Sequence, residues 1–203
     1  MRNLKSKVFQ LARDRVKKLP EPVAEVVRHV LTLEPRVLKT FHGILERKIA
    51  ATRIRIHGDF HLGQVLYTGK DFVIIDFEGE PARSLNERRR KRPALQDVAG
   101  MLRSFQYAAY TVLANGTVPG ADPQVVERWL RFWYAWMSSA YVKAYLDCVG
   151  QASFVPSDLR ECESTLQVFL LEKCVYELGY ELNNRPDWVH IPVRGIVDLV
   201  EGG

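Results

Sequence analysis

The chain has 203 residues, 47% of them hydrophobic and 26% charged, and its formal net charge is +5. This composition predicts a globular protein with a sizeable core, and the absence of a long apolar run argues against a membrane span or a secretory signal. Cys148, Cys162 and Cys174 are too scattered to indicate a disulfide framework or a zinc site, so we expect a cytoplasmic protein.

The first 52 residues predict three scaffold helices. Apolar residues recur at helical spacing within 4–18, 23–33 and 34–50, among charged residues that suit a solvent-facing side. Pro22 is compatible with the first turn of the second helix. We therefore expect a helical support ahead of the central part of the chain.

Residues 53–81 contain short apolar runs around a polar loop. Alternating isoleucines and arginines predict a short strand at 54–56, and two further apolar runs predict strands at 64–67 and 72–76. The sequence TGKD between the last two strands is a turn signal. These two strands should form an antiparallel hairpin, in which the start of the first lies beside the end of the second.

The hairpin is expected to bring three oxygen-bearing side chains together. Gln64 starts its first strand, Asp76 ends its second, and Asp59 lies in the preceding loop HGDFHLGQ. An amide and a carboxylate can hold Mg²⁺ on nucleotide phosphates, while a separate carboxylate accepts the proton of an attacking hydroxyl. The pattern favours phosphoryl transfer, with Asp59 as the base and the other two as metal ligands.

The same loop has three other interpretations. Gly58 and Gly63 are spaced as in a P-loop, but Gln64 and Val65 follow where lysine and a hydroxyl residue are needed, so that motif is excluded. A two-metal phosphoesterase would use His and Asp from this loop, but it needs further His/Asp clusters that the sequence lacks. A polar turn followed by an acidic strand end remains the purely structural alternative.

Residues 83–92 carry six basic residues and one acid, and without them the chain is electrically neutral. The run contains no aromatic residue, whereas nucleic-acid-binding surfaces spread basic groups over a face and interleave aromatics, so we expect no nucleic-acid binding. It predicts either a mobile loop over the site or a solvated surface loop. In the first case Arg83 is the candidate contact for nucleotide phosphates.

Helices are predicted again beyond the basic run. The first covers 96–109, with Asp97 placed to cap it. After a turn-rich connector at 115–123, a helix at 123–149 carries aromatic residues three and four positions apart, which predicts core or a helix seam, with sugar stacking as the alternative. Two more helices are predicted, at 156–183 and 191–200.

Polar and aromatic residues crowd the end of the helix at 156–183. They are Glu177, Tyr180, Glu181, Asn184, Arg185 and Trp188. Glu177 and Glu181 share a helix face beside Tyr180, because they are four positions apart. Paired acceptors, a flat ring and a forked donor suit a hydroxyl-rich sugar, and the alternative is a helix end with ordinary surface charges.

The motifs HGDFHLGQ and IDFEGEP resemble the catalytic loop and metal-binding segment of aminoglycoside phosphotransferase-like kinases. Those kinases carry His-Gly-Asp-x-His-x-x-Asn, and then a hydrophobic strand ending in Ile-Asp-Phe/Trp-Glu/Asp. The chain is more similar to bacterial maltokinases, in which glutamine replaces the asparagine and Glu-Gly-Glu-Pro is typical. The segments RPALQDVAGMLRSFQYAAY and LEKCVYELGYELNNRPDWVHIP carry the same resemblance, which covers the chain from Arg53 onward.

The resemblance implies a role for each site residue. Asp59 would be the catalytic base, Gln64 a metal ligand and Asp76 the principal Mg²⁺ ligand. Glu78 would be an outer supporting group or a ligand of a second metal. Three residues would support the loop: His57, His61 and Asp97. The polar set at the helix end would bind the sugar.

We therefore expect a mainly α (α+β) fold, a single kinase-like C-terminal lobe over 1–203 with a small β-hairpin. Its parts would be scaffold helices at 1–52, the catalytic and metal-binding hairpin at 53–81 and a helical substrate-binding part at 82–203. The residues before the loop show no glycine-rich loop and no lysine-bearing strand, so the N-terminal nucleotide-binding lobe is predicted to be absent.

The predicted activity is Mg²⁺- and ATP-dependent phosphorylation of maltose at C1 to maltose 1-phosphate. Trehalose synthase, fused or associated, is the partner that the resemblance implies. Two alternatives stay open. One is a kinase of the same family that acts on glucosamine or an aminoglycoside, and the other is a non-catalytic fragment that binds sugar or a partner protein.

Overall fold

The structure is a computed structural model that describes residues 2–45, 49–114 and 120–202. It is mainly helical with one two-stranded antiparallel sheet, which confirms the expected fold class. The helices are α1 (Arg2–Arg15), α2 (Glu21–Thr32), α3 (Glu34–Leu45), α4 (Leu85–Arg88), α5 (Leu95–Ala114), α6 (Pro123–Val149), α7 (Leu159–Asn184) and α8 (His190–Val197). The strands are β1 (Val65–Tyr67) and β2 (Phe72–Ile74).

The chain divides into two compact units, the first formed by Met1–Ile49 with Glu163–Gly203 and the second by Ala50–Cys162. The core of the first unit is built from apolar helix faces. Buried residues three apart in α2, such as Val27 and Val30, pack with Phe9 of α1 and with Leu171 and Leu178 of α7. The sequence periodicity dictates this packing, because positions three and four apart share a helix face.

In the second unit α5 supplies most of the buried side chains. Leu95, Val98, Leu102 and Phe105 are all buried, again at spacings of three and four. α6 packs beside α5, and the ring of Phe105 meets Tyr141 edge-on at a centroid distance of 5.6 Å. α5 also contacts residues 62–64, at the end of the polar loop.

Several predicted elements differ from the structure. The strand expected at 54–56 is wrong: Ile54 forms only an isolated bridge with Arg92. α5 starts at Leu95, so Asp97 lies inside its first turn and does not cap it. α3 is described to Leu45, the predicted residues 46–48 lie outside the described part, and residues 49–50 are not helical. Residues 115–119 of the connector also lie outside it.

Four aromatic residues of α6 contradict the expectation of core, whereas Tyr141 packs on Phe105 of α5 and so fits the alternative of a helix seam. Trp129, Phe132 and Trp136 are 60–67% exposed, and Trp133 is 39% exposed. No residue of Pro123–Val149, a stretch described throughout, is buried. The helix itself begins and ends where the sequence predicts, after an Asp122 side chain that accepts the Gln124 N–H at 2.9 Å.

No helix in the described part of the chain has both the length and the apolar character needed to cross a membrane.

Candidate active site

β1 and β2 bring Gln64 and Asp76 into contact. Their register pairs Val65 with Ile74, and the Ile75 N–H donates to the Gln64 carbonyl at 3.0 Å. The side chains just beyond the ladder therefore meet at one end of the hairpin, where Gln64 Nε2 donates to Asp76 Oδ2 at 3.0 Å. Gln64 is buried and Asp76 is exposed, so a buried amide supports a carboxylate that ligands can reach.

Asp76 has an unusual backbone conformation. Within the described residues it is the one non-glycine residue with a positive φ, at 59°. L-residues rarely adopt this left-handed region, and such residues concentrate at functional sites where the surrounding structure holds them. The conformation turns the chain sharply after β2 and marks this hairpin end as a candidate site.

His57 connects the loop to the end of β2. Its Nε2 lies 2.8 Å from the Ile75 carbonyl, and its Nδ1 accepts the Asp59 N–H at 3.4 Å. Both contacts are satisfied by a neutral ring that carries its proton on Nε2. The buried imidazole also packs against the rings of Phe60 and Phe77, at centroid distances of 5.5 and 5.1 Å. His57 thereby ties Asp59 to the strand that precedes Asp76.

Asp97 of α5 holds the start of the loop. One carboxylate oxygen accepts the His57 N–H at 2.7 Å and the other accepts the Gly58 N–H at 2.9 Å. Burial raises the pKa of Asp97 above its ordinary value, and this effect outweighs the two backbone hydrogen bonds that favour the ionised form. The Asp97 carboxylate therefore binds the backbone of the loop and does not cap α5.

The loop comes unusually close to α5. A Cβ at Gly100 would lie 2.5 Å from the carbonyl oxygen of Phe60, so any other residue at this position would force the loop backbone to shift. Four positions along the same helix, the Ser104 hydroxyl accepts the Leu62 N–H at 3.0 Å. Two positions on one helix face thus fix the path of the loop on either side of His61.

His61 joins Asp59 to Gln64. Its Nε2 lies 3.9 Å from Asp59 Oδ2 and 3.5 Å from Gln64 Nε2, while its Nδ1 accepts the Gly63 N–H at 3.1 Å. Together with the contact between Gln64 and Asp76, this arrangement makes a contiguous group, which we call the oxygen cluster (Asp59, Gln64 and Asp76).

The acidic residues after Asp76 meet the basic segment. Arg88 Nη1 lies 3.7 Å from Glu78 Oε2 and 3.4 Å from the Glu78 carbonyl oxygen. The segment is not entirely loop, because α4 forms one helical turn with a Ser84–Glu87 capping box. Arg83 is half-buried, and its N–H donates to the Glu80 carbonyl at 3.0 Å.

The donor set of the oxygen cluster fits Mg²⁺. The described residues include no group of three or more His, Cys, Asp and Glu side chains that could hold a metal ion. Mg²⁺ does not need such a cage, since it binds through one or two protein groups together with waters and substrate phosphates. Asp76 offers an exposed carboxylate, and Gln64 carries an amide oxygen that a half-turn of its side-chain amide would bring to the same point, since the amide nitrogen faces Asp76 in the structure. Both are the hard oxygen ligands that this cation prefers.

The predicted sugar-binding residues lie in the first unit, whereas the oxygen cluster lies in the second. Arg185 forms a two-pronged ion pair with Glu181, with Nε to Oε2 at 2.9 Å and Nη2 to Oε1 at 2.7 Å. Its guanidinium also lies over the rings of Trp188 and Tyr180, at 4.5 and 5.5 Å from their centroids. The Arg185 guanidinium therefore contacts three other members of this set, Glu181, Trp188 and Tyr180.

The other two members of this set differ in exposure. Glu177 is 9% exposed, and Asn184 is exposed with its Nδ2 donating to the Tyr180 carbonyl at 2.8 Å. Tyr180 is 47% exposed and so offers a ring surface to solvent. Contacts among these residues therefore hold the predicted sugar-binding set in place.

Comparison with solved structures gives the fold. A glucosamine kinase in complex with glucosamine, ADP and inorganic phosphate matches 97% of this chain with a TM-score of 0.74 at 23% identity, and the match covers 46% of that chain. A second glucosamine kinase structure, crystal form B, matches with a TM-score of 0.76 at 24% identity. The chain has a kinase-like fold.

Sequence relatives of this kinase-like lobe agree with the structural match. Glucosamine kinase from Streptacidiphilus jiangxiensis is 29% identical over 166 residues, 82% of this chain and 36% of the relative. Glucosamine kinase from Mycolicibacterium smegmatis is 30% identical over 151 residues, 72% of this chain and 34% of the relative. The chain thus spans about a third of the length of these relatives. No protein-family model matches it.

These matches support a kinase-like protein but not the predicted maltokinase, since both relatives are glucosamine kinases. They give no support to an association with trehalose synthase.

Sequence reasoning missed four features of the lobe. The positive φ of Asp76, the close approach at Gly100, the Ser104 hydroxyl and the contact between Arg88 and Glu78 all depend on the path of the loop. A glycine and a serine four positions apart on the helix after the loop were the available signal, since small residues often mark a close backbone approach.

Proposed function

We propose that this chain is the acceptor-activating lobe of an ATP-dependent sugar kinase, with glucosamine or a related amino sugar as the acceptor. The observation that carries the proposal is the oxygen cluster, in which Gln64 and Asp76 touch at one hairpin end and His61 bridges to Asp59. The similarity to glucosamine kinases supports the choice of acceptor.

In the proposed reaction Asp59 accepts the proton of an acceptor hydroxyl. The oxygen of that hydroxyl forms a bond to the γ-phosphorus of ATP as the bond from that phosphorus to the bridging oxygen breaks, and ADP leaves with the electron pair. Asp97 and His57 hold the backbone around Asp59, so the base is positioned before the substrate arrives.

Gln64 and Asp76 are the proposed ligands of Mg²⁺, which when bound would neutralise charge on the nucleotide phosphates. The proton position on His61 supports Gln64 as an oxygen ligand. Because Nδ1 of His61 accepts the Gly63 N–H, the proton of the neutral ring lies on Nε2 and can be donated to the Gln64 amide oxygen. A half-turn of the Gln64 amide presents Oε1 to that Nε2–H and to the side of Asp76. The amide can thus exchange a hydrogen bond to Asp76 for a role as oxygen ligand.

The remaining assignments are also proposals. Glu78 would assist the metal-binding segment, and Arg83 would contact nucleotide phosphate. The polar and aromatic residues around the end of α7 would contact the sugar: Glu177, Tyr180, Glu181, Asn184, Arg185 and Trp188. The activity of a complete kinase is proposed for the whole protein, since this chain spans about a third of its relatives.

The decisive experiment is a phosphorylation assay with Mg²⁺-ATP across glucosamine, maltose and an aminoglycoside, using the full-length protein that contains this chain, and the chain itself. We expect phosphorylation of glucosamine above the other acceptors. Asp59→Asn should lower turnover by at least about a hundredfold, as loss of a general base does, with nucleotide binding retained. Near-normal turnover in this variant would remove Asp59 as the base, and sugar binding without any turnover in the wild type would favour a binding module.

A further inference from the structure

The exposed face of α6 carries four large aromatic side chains, which we call the aromatic row: Trp129, Phe132, Trp133 and Trp136. Three of them are 60–67% exposed, and Trp133 is 39% exposed. Single exposed apolar residues are ordinary, whereas a contiguous group of this size marks an interaction surface. Tryptophan is also among the residues that contribute most to binding at protein interfaces.

The rings of the aromatic row form a ridged surface. Trp129 meets Phe132 edge-on with an interplanar angle of 89°, and Phe132 lies nearly parallel to Trp136 at 22°. A flat sugar platform needs rings in a common plane, and the first pair is perpendicular. A ridged face at positions i, i+3, i+4 and i+7 instead matches the seam along which one helix packs into the grooves of another.

We propose that the aromatic row is the interface of a two-fold symmetric dimer, in which α6 packs antiparallel against α6 of a second copy of this chain. α6 has 27 residues, about 40 Å, which is long enough for several turns to pair. When the two-fold axis passes between Phe132 and Trp133, these two residues face each other across the interface. In the same register Trp129 faces Trp136 of the second copy.

Charge complementarity supports this register. Asp122, at the start of α6, faces Lys143 of the second copy, and both residues are exposed. Lys143 pairs with Asp147 one turn along its own helix, but these side chains are 75% and 65% exposed, so the pair contributes little and leaves Lys143 able to bind Asp122 as well. Arg128 and Arg131 face uncharged positions, so no like charges are opposed. Antiparallel helices also place opposite dipole ends beside each other. Opposite charges at both ends and aromatic side chains in the middle make the face self-complementary, which an interface with two-fold symmetry requires.

The first test is sedimentation equilibrium of the whole chain over a range of concentrations. We expect a dimer for the wild type, and Trp129→Glu with Trp136→Glu should weaken dimerisation at least thirtyfold, roughly the effect of losing one interface hot spot. The matched control is Tyr67→Glu with Phe72→Glu, since these residues are 66% and 67% exposed on the hairpin. The control should dimerise like the wild type, and circular dichroism should show both variants folded.

A wild type that is monomeric at every concentration would overturn the proposal, and so would an α6 variant that still dimerises. If the control variant lost dimerisation as completely, the interface would lie at the hairpin, and that result would also overturn the proposal.

The second test fixes the register by disulfide trapping in a Cys148→Ser background. Val125 faces Ala140 of the second copy in the proposed pairing, so Val125→Cys with Ala140→Cys should give a covalent dimer on mild oxidation. Val125→Cys alone should give little, because its two copies would lie about 22 Å apart along the paired helices. Equal trapping in both variants would rule out this register.

Discussion

A single carboxylate at position 97 organises the backbone of the candidate active site. It accepts two consecutive N–H groups, from His57 and Gly58, immediately before the proposed base. Its burial opposes ionisation, since a charged group loses hydration when it is buried. Asp97 therefore combines a positioning role with a cost in stability at neutral pH, and the two can be separated by measurement.

Asp97→Asn should lower turnover by tenfold or more, because the amide offers one acceptor where two N–H groups need one each, and an unsatisfied buried donor costs about 1–3 kcal/mol. The variant also lacks the ionisable carboxyl group of Asp97, whose pKa in the folded protein is raised above the ordinary value of 3.8. A raised folded pKa means that stability is gained on protonation, so the wild type should gain stability relative to the variant as the pH falls toward that value. Urea unfolding at several pH values measures this difference, and a change in the opposite direction would contradict it.

Arg185 and Glu181 form a pair in which the carboxylate is 2% exposed and the guanidinium side chain 45% exposed. Arg185→Met should cost on the order of 3 kcal/mol, at the low end for a buried pair, because it removes a two-pronged partner from a carboxylate that stays buried. Adding Glu181→Gln should restore part of that loss. A double-mutant cycle by denaturant unfolding measures the coupling, and additive effects would show that the pair contributes nothing jointly.

At the scale of elements, α5 is the support of the site. It seats the loop through Asp97, Gly100 and Ser104, which follow one another at intervals of three and four. Residues at this spacing lie on one helix face, so a single face of one helix determines the path of the loop. The hairpin then needs only a short turn to return Asp76 to the loop, and its three-residue strands are sufficient for that purpose.

Gly100→Ala tests this seating without removing any functional side chain. The added methyl would lie 2.5 Å from the Phe60 carbonyl oxygen, so the loop must shift, at a cost of roughly 1–3 kcal/mol and a clear loss of turnover. Gly43→Ala in α3 is the matched control, since its Cβ meets nothing within 4 Å. The control should gain up to about 1 kcal/mol from helix propensity alone. Thermal unfolding together with the kinase assay distinguishes the two outcomes, and a Gly100→Ala variant of normal activity would show that the loop tolerates the shift.

For the whole molecule, the cysteines report on folding. Cys162 and Cys174 are buried and Cys148 is exposed, and none of the three forms a disulfide. Burial raises the pKa of Cys162, which further reduces its reactivity because the thiolate is the nucleophile. A thiol reagent should therefore modify one residue rapidly in the native chain and three after unfolding. Cys148→Ser should abolish the rapid phase, and a second fast thiol in the native state would contradict the described burial.

Local sequence patterns were sufficient to predict the long helices, the hairpin and its turn, but not the single turn of α4. α6 spans the predicted 123–149, because an Asp-Pro start and a glycine after its end are strong boundary signals. The contact between Gln64 and Asp76 was also predictable, since pairing in a short hairpin follows from the turn that joins its strands. Both conclusions need only interactions between residues close in the chain.

Other features depend on contacts between distant residues, which only the tertiary structure decided. The isoleucines at 54–56 have a strand pattern, yet Ile54 finds only an isolated bridge with Arg92. The tryptophans and the phenylalanine of α6 have a core pattern, yet they are exposed. Periodicity predicts which residues share a face, but it cannot state what that face will meet. The sequence by itself therefore predicted that Gln64 and Asp76 meet at one end of the hairpin, because that pairing is local, whereas the tertiary structure decided how α5 holds the loop beside them.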